Sequence, residues 1–305
     1  MNIAILSKGP QLYSTQRLYQ AGLARGHQIG ILDISRCTQA LINGKPVLFF
    51  DNTRVDGLDA VIPRIGTSVT QEGLALVAHL ESMGVFSATS ADGLWQARDK
   101  MRALIRFQAA GIPIPNTFCP GVGMDITSVA SELGGFPLVV KVVDSTHGVG
   151  VVLVESLAHA TSILEVFHLQ NTRVLMQEFI RESQGTDVRI LVVAGRVVGA
   201  MKRVAKVGEF RSNLHQGGVG FPVSISPEEE NLAIRATETL GLFIAGVDIL
   251  RSHRGPLVLE VNASPGLEGI EQTTGTDVAG ALIESLEQAW LPRSHAFSSD
   301  IQLPV

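Results

Sequence analysis

Cysteine is scarce in this chain. Cys37 and Cys119 are the only two among 305 residues. They offer neither a disulfide framework nor the paired spacing of a zinc site, and are expected to be buried thiols of a reducing compartment. Positive charge is also short. Lys and Arg number 24 against 29 Asp and Glu, a net charge of −5, which excludes a general nucleic-acid surface. No apolar run approaches membrane-spanning length. The opening stretch, residues 1–7, lacks the basic lead and cleavage site of a signal peptide. The expected compartment is the cytoplasm. The glycine spacing of a dinucleotide fingerprint is missing too, because a lone Gly9 follows the first strand. There is no internal repeat, no low-complexity segment and no evident Ser, Cys or His nucleophile triad.

What is present fits a globular α/β protein: 45% hydrophobic and 17% charged residues, in a chain long enough for two or more domains. A strand at 2–6, a helix at 11–25 closed by Gly26 and a strand at 28–33 make a βαβ unit, so the opening sheet should be parallel. A strand at 60–63, a helix at 69–83 and a strand at 85–87 complete a small α/β domain over residues 1–94. A helix is expected at 97–110, then a linker marked by Pro113 and Pro115. Strands follow at 137–143, 151–154 and 174–180, with a helix at 157–167. A hairpin turns about Gly195, between 187–194 and 196–203. Ser226 caps a helix at 227–240 with acids in its first turn. A last amphipathic helix spans 276–289, and residues 292–305 read as a frayed tail.

The chemistry concentrates in the second domain, residues 95–291. Two apolar segments, 246–250 and 257–262, fold as an antiparallel hairpin about Arg254. That register sets Asp248 opposite Glu260, about 5 Å apart on one face. Alternation puts Asn262 on the same face, across from Gly246, which leaves room for a ligand. Two carboxylates and an amide among Ile, Leu and Val are costly to bury without cations, and hard oxygen donors of this kind suit Mg²⁺ or Mn²⁺ held together with phosphates. Lys141, inside the apolar strand 137–143, needs an anionic partner. The loop 144–150, with Gly148 and Gly150, lets backbone N–H groups approach an anion. Lys100 alone reads as an exposed lysine near a helix start. Glu178, Phe179 and Ile180 end a strand where a base could bond and stack. Asp187 stands where it could accept from ribose hydroxyls, or serve only as a turn acid. Arg203, Lys206 and Arg211 form a positive cluster beside Asn213 and His215, and Gly217 and Gly218 read as a mobile segment.

Taken in order, these motifs resemble the ATP-grasp superfamily and, within it, the RimK glutamate ligases. The residues that carry the resemblance are Pro63-Arg64-Ile65-Gly66, Ala97-Arg98-Asp99-Lys100, the strand ending in Lys141, Gln177-Glu178-Phe179-Ile180, Asp187-Val188-Arg189, Phe210-Arg211-Ser212-Asn213-Leu214-His215, the 246–250 strand, and Leu259-Glu260-Val261-Asn262 with Ala263-Ser264-Pro265-Gly266. The resemblance reaches residue 291. It implies an ATP-grasp fold behind a small parallel-sheet domain. ATP phosphates would rest on Lys100, Lys141, Gly148 and Gly150. Glu178, Phe179 and Ile180 would frame adenine, with Asp187 on the ribose. Arg203, Arg211, Ser212 and Asn213 would act around the γ-phosphate and the substrate carboxylate. Asp248, Glu260 and Asn262 would hold two Mg²⁺ or Mn²⁺ ions. The implied reaction is carboxylate–amine ligation through an acylphosphate. It would add glutamate to the acidic C-terminus of a small-subunit ribosomal protein, with no nucleic acid or membrane involved, in a homo-oligomer. Glutamylation of a small molecule, synthesis of free poly-glutamate and a nucleotide-binding regulator without turnover are the other readings. Arg64, Arg203, Lys206 and Arg211 are the cations expected to meet glutamate and acceptor carboxylates.

Overall fold

The computed structural model describes residues 1–143 and 150–298. The first domain is built as the βαβ pattern dictates. Strands β1 (Asn2–Ser7) and β2 (Gln28–Leu32) are parallel and joined by helix α1 (Tyr13–Ala24). Between β2 and the next sheet strand lies a three-stranded antiparallel sheet: β3 (Cys37–Ile42), β4 (Lys45–Phe50) and β5 (Thr53–Val55). It is absent from the sequence reading, although Asn43-Gly44 marks its first turn. Both residues have positive φ, 52° and 73°, as a two-residue hairpin turn requires. Strand β6 (Ala60–Arg64), helix α2 (Thr70–Ser82) and β7 (Phe86–Ser87) complete a four-stranded parallel sheet of order β2-β1-β6-β7.

The helix expected over 97–110 is two helices, α3 (Ala91–Arg98) and α4 (Lys100–Ala109). Asp99 between them is extended, and its carboxylate accepts from the Arg102 N–H at 2.9 Å. A side chain that caps a new helix cannot also lie inside the old one, so Lys100 opens α4, in keeping with its expected place near a helix start. Strand β8 (Thr117–Phe118), helix α5 (Ile126–Glu132), β9 (Leu138–Val142), β10 (Val151–Val154), helix α6 (Leu157–Leu169) and β11 (Val174–Glu178) form a small lobe on an antiparallel sheet of order β10-β9-β11-β8. Its core is its own, centred on Val129, Leu138, Val140, Val154 and Met176.

Strands β12 (Thr186–Val193) and β13 (Arg196–Val204) are the expected hairpin. With β14 (Val219–Pro222), β15 (Ile244–Ser252) and β16 (Gly255–Asn262) they make a five-stranded antiparallel sheet, β14-β13-β12-β15-β16. Helix α7 (Pro227–Thr239) begins at a complete capping box, Ser226 with Glu229, as its sequence promises. Helices α8 (Glu268–Thr274) and α9 (Val278–Ser298) close the chain. Helix α9 runs past the expected end at residue 289 and through position 292, so the tail reading holds for none of residues 292–298; residues 299–305 lie outside the described residues.

The first domain and the five-stranded sheet share a core. Leu6, Val61, Leu80 and Leu94 pack in one cluster with Ile190, Val247 and Val261. Ion pairs lace the same contact: Arg17 to Glu271 at 3.1 Å and Arg25 to Glu287 at 2.6 Å. The small lobe thus faces a body made of two domains. No helix among the described residues is long and apolar enough to cross a membrane. Cys119 is exposed and Cys37 half-buried, which corrects the expectation of two buried thiols.

Candidate active site

The site begins with register. Asp248 pairs with Glu260, and Gly246 with Asn262, across β15 and β16. The turn itself is shorter than expected. Ser252 pairs with Gly255, leaving only His253 and Arg254 between the strands. That turn alone would set Asp248 opposite Leu259. A bulge on β16 at Leu259 shifts the register by one and brings Glu260 round to the face of Asp248. Gly246 is needed here, since a Cβ would meet Pro265 at 2.9 Å.

The same face continues across the sheet. Asp187 and Arg189 alternate on β12. Arg203 on β13 lies opposite Asp187, and Asp248 on β15 lies opposite Arg189. These four charges bond to one another. Arg189 donates to both oxygens of Asp248 at 2.7 and 2.6 Å. Arg203 donates to both oxygens of Asp187 at 2.7 Å and also reaches Asp248 at 2.8 Å. The Ser212 hydroxyl donates to Asp187 as well. Burial pushes the Asp248 carboxyl up, but the two guanidinium groups outweigh it and hold it down at about 2. Burial opposes the charge of Arg203, yet Asp248 and Asp187 outweigh that and raise its pKa above the ordinary arginine value.

This arrangement departs from three expectations. Asp187 is buried and spent on Arg203 and Ser212 rather than turned toward a ribose. Arg203 is only 2% exposed and is bound to two acids. Asp248, 1% exposed, is neutralised by arginines rather than facing Glu260 as a bare second carboxylate. Glu260 and Asn262 are more open. The Asn262 amide N–H donates to Glu260 at 3.2 Å, which aims that amide's carbonyl oxygen elsewhere. For a divalent cation the fit is therefore two hard oxygen donors, Glu260 and Asn262, with ligand phosphates completing the shell. Asp248 already accepts three guanidinium contacts, which leaves it about one lone pair for a cation. Among the described residues no group of three His, Cys, Asp or Glu side chains could hold a metal.

A cavity of about 770 Å³ lies over this face, roofed by the small lobe. Lys141, Glu178, Phe179, Ile180 and Gly185 line it, with Lys100, Arg211, Ser212 and Asn213. Lys141 is buried in β9. Its ammonium donates to the Gln177 amide oxygen at 2.6 Å, and that amide's N–H donates to Thr117 at 2.8 Å. Burial pushes Lys141 down to about 8, with Glu260 opposing and Lys100 assisting. Gln177 escaped the sequence reading. An amide in an otherwise apolar strand, diagonal to a lysine across the β9–β11 ladder, was the available signal. Arg189 escaped it likewise as a site residue, although its alternation with Asp187 was there to read. Lys100 donates to the Val143 carbonyl at 3.2 Å. Glu178 accepts from the Asn116 N–H at 2.7 Å and from Arg254. Phe179 and Phe210 meet edge to face at 6.4 Å. Arg211 is paired with Glu209 at 2.7 Å. Gly218, read as part of a mobile segment, is a close approach instead: a Cβ would fall 2.2 Å from the Ser212 carbonyl oxygen. Gly150 has φ +67°. Gly148 and the rest of the expected anion loop, 144–149, lie outside the described residues.

A second cavity, of about 780 Å³, shares Lys100, Leu259 and Glu260 with the first. It extends toward the first domain between Ile65, Arg98, Asn262 and Ser264.

Two lobes closing on a charged sheet face, behind a parallel-sheet domain, define a nucleotide-dependent ligase of the ATP-grasp class. The chain belongs to the RimK-like ATP-grasp family: residues 97–286 match the RimK-like ATP-grasp domain and residues 1–94 the RimK PreATP-grasp domain. It is an enzyme of the carbon–nitrogen ligase type. A protein of Azotobacter vinelandii named as a probable alpha-L-glutamate ligase is 48% identical over 94% of this chain and 96% of its own length. One of Picosynechococcus, named in the same way, is 46% identical over 96% of this chain and 97% of its own. Among solved structures, the RimK domain protein ATP-grasp of Sphaerobacter thermophilus superposes with a TM-score of 0.72 at 25% identity, over 93% of this chain and 99% of that one. The ATP-grasp ligase PsnB, complexed with a minimal precursor, gives 0.76 at 22% identity over 94% and 99%, a likeness of fold.

Proposed function

We propose that the protein ligates glutamate to a carboxylate acceptor, the acidic C-terminus of a small-subunit ribosomal protein, and that it can extend the product as poly-glutamate. The observation that carries this reading is the pair of cavities meeting at Lys100 and Glu260. One takes ATP and the other the amino acid, with the transferred phosphoryl group between them. The naming of the relatives as probable alpha-L-glutamate ligases supports the choice of amine. The motif resemblance supplies the acceptor, and with it a cytoplasmic setting.

In this reading Glu178, Phe179 and Ile180 frame the adenine, and Lys141 with Lys100 meets the phosphates. Arg211, Ser212 and Asn213 close over the γ-phosphate. The acceptor carboxylate attacks that phosphorus and ADP leaves. The glutamate amine then attacks the acyl carbon and phosphate leaves. Positioning and charge neutralisation supply most of the acceleration, as in other phosphoryl transfers. Glu260 and Asn262 would hold one or two divalent ions, Mg²⁺ or Mn²⁺, which neutralise phosphate oxygens when bound. Arg203 and Asp187 act from beneath, fixing Asp248 and Ser212. The test is ADP release with glutamate alone, then with a peptide ending in glutamate or in alanine, and mass spectrometry of the peptide. Mass increments of glutamate on the acidic peptide are expected. ADP release with no glutamate added to any acceptor would defeat the reading.

A further inference from the structure

Four cations were expected to meet substrate carboxylates, and the structure sorts them. Arg203 and Arg211 already have acidic partners. Arg64 has none among the described residues. Its Nη2 donates to the Pro265 carbonyl at 2.7 Å, and its Nη1 is buried with no partner. Burial alone pushes it down to about 10. Arg98, on the wall of the second cavity, has no acidic partner among the described residues either. It donates to the Ile65 carbonyl, and burial lowers its pKa with no acid to offset it. Ser264, also on that wall, has a buried hydroxyl without a partner. Arg98 and Ser264 therefore line one wall where the first domain meets the loop after β16, and Arg64 lies behind it, tied to the carbonyl of Pro265 next to Ser264. Such a set is costly to keep without an anion. A planar guanidinium fork matches a carboxylate at two points.

We infer that this second cavity holds the incoming amino acid by its side-chain carboxylate, with Arg98 and Ser264 as its specificity-determining residues and Arg64 as a positioning residue behind them. The inference rests on the proposed ligase reading and assigns a substrate to the second cavity's wall. The second cavity opens to solvent, so a free molecule can enter it. Lys100 and Glu260 divide it from the nucleotide cavity, so an amine held here faces the phosphoryl group from the side away from the adenine. The first domain, through Arg64 and the turn at Ile65–Gly66, thereby becomes part of substrate selection rather than a support.

The test measures KM for glutamate, for glutamine and for ATP in the unmodified enzyme and in Arg64→Gln, Arg98→Gln, Arg64→Lys and Ser264→Ala. Loss of one charge-assisted carboxylate contact should raise KM for glutamate roughly ten- to hundred-fold. KM for ATP should stay within about twofold, and the preference for glutamate over glutamine should shrink. Arg64→Lys should keep part of that preference. A merely structural role would lower turnover with all substrates alike, and an unchanged glutamate-to-glutamine ratio in both glutamine variants overturns the inference. Should the unmodified enzyme release no ADP with glutamate, the ligase reading fails on its own, and calorimetric titration of glutamate in the presence of an ATP analogue decides this one. Tight binding lost in Arg98→Gln upholds the subsite; no binding to the unmodified enzyme removes it.

Discussion

Arg203 and Lys141 line the same cavity and both are buried, but one belongs to the five-stranded sheet and the other to the small lobe. Arg203 sits between Asp187 and Asp248, and Arg189 completes the set. Two positive and two negative groups leave that floor neutral without any ligand. Among the described residues Lys141 hydrogen-bonds the neutral amide of Gln177, and burial lowers it to about 8 against the pull of Glu260. The floor is charge-complete on folding; in the proposed reading the roof is completed by the nucleotide's phosphates. In that reading the sheet supplies a fixed floor and the small lobe, which keeps a separate core, supplies the group that answers to phosphate.

The sharpest way to break the comparison is to unbalance the floor. Asp248→Ala takes from Arg189 its carboxylate and leaves Arg203 with Asp187 alone, and breaking a buried pair of this kind costs about 3–5 kcal/mol. A large fall in melting temperature is expected, together with lost ligation. The stability that Asp248 contributes has a definite pH dependence. Its carboxyl falls from the ordinary value of 3.8 to about 2 on folding, so the contribution is full above about pH 4 and is lost as pH falls through about 2. An Asp248→Ala protein as stable as the parent would show that the floor is not held by these pairs. Glu260→Ala should behave differently. Glu260 is only half-buried and bonded to Asn262, so melting should change little. Ligation should fall by two or more powers of ten if several kcal/mol of charge neutralisation pass through this carboxylate. Thermal melts and initial rates on both variants separate a structural from a chemical carboxylate. The smallest effect is expected at the cavity rim. Arg254, half exposed, pairs with Glu178, and such pairs contribute under about 1 kcal/mol. Arg254→Ala should alter ATP affinity, read by calorimetric titration, by less than about fivefold.

Much of this was legible in the chain. Alternation and cross-strand counting put Asp248, Glu260 and Asn262 on one face, and the βαβ opening announced its parallel sheet. The counting reached the right pairs by a route the protein does not take, because a two-residue turn and a bulge at Leu259 together give the register of a longer turn. What could not be read was partnership. Nothing in the spacing of Asp187, Arg189, Arg203 and Asp248 says that three strands will bring them within one network, since that depends on the order of strands in the sheet. Asp99 hid its helix break for a related reason. An acid inside an amphipathic stretch reads as a solvated residue until its side chain is seen capping the next helix.

The central claim, that the small lobe's lysine waits for an anion, is tested most directly by titrating an ATP analogue into the parent and into Lys141→Met between about pH 7 and 9.5, a window that brackets the lysine's lowered pKa, alongside melts of the ligand-free proteins. Folding lowers this lysine from 10.5 to about 8, so between those values the unfolded chain binds more protons and the ligand-free parent should gain stability as pH rises. Lys141→Met should lack that gain. The parent's affinity for the analogue should fall as pH rises through about 8, while that of Lys141→Met should be weaker at neutral pH and flat throughout. Equal affinities with the same pH dependence in both proteins would contradict the account.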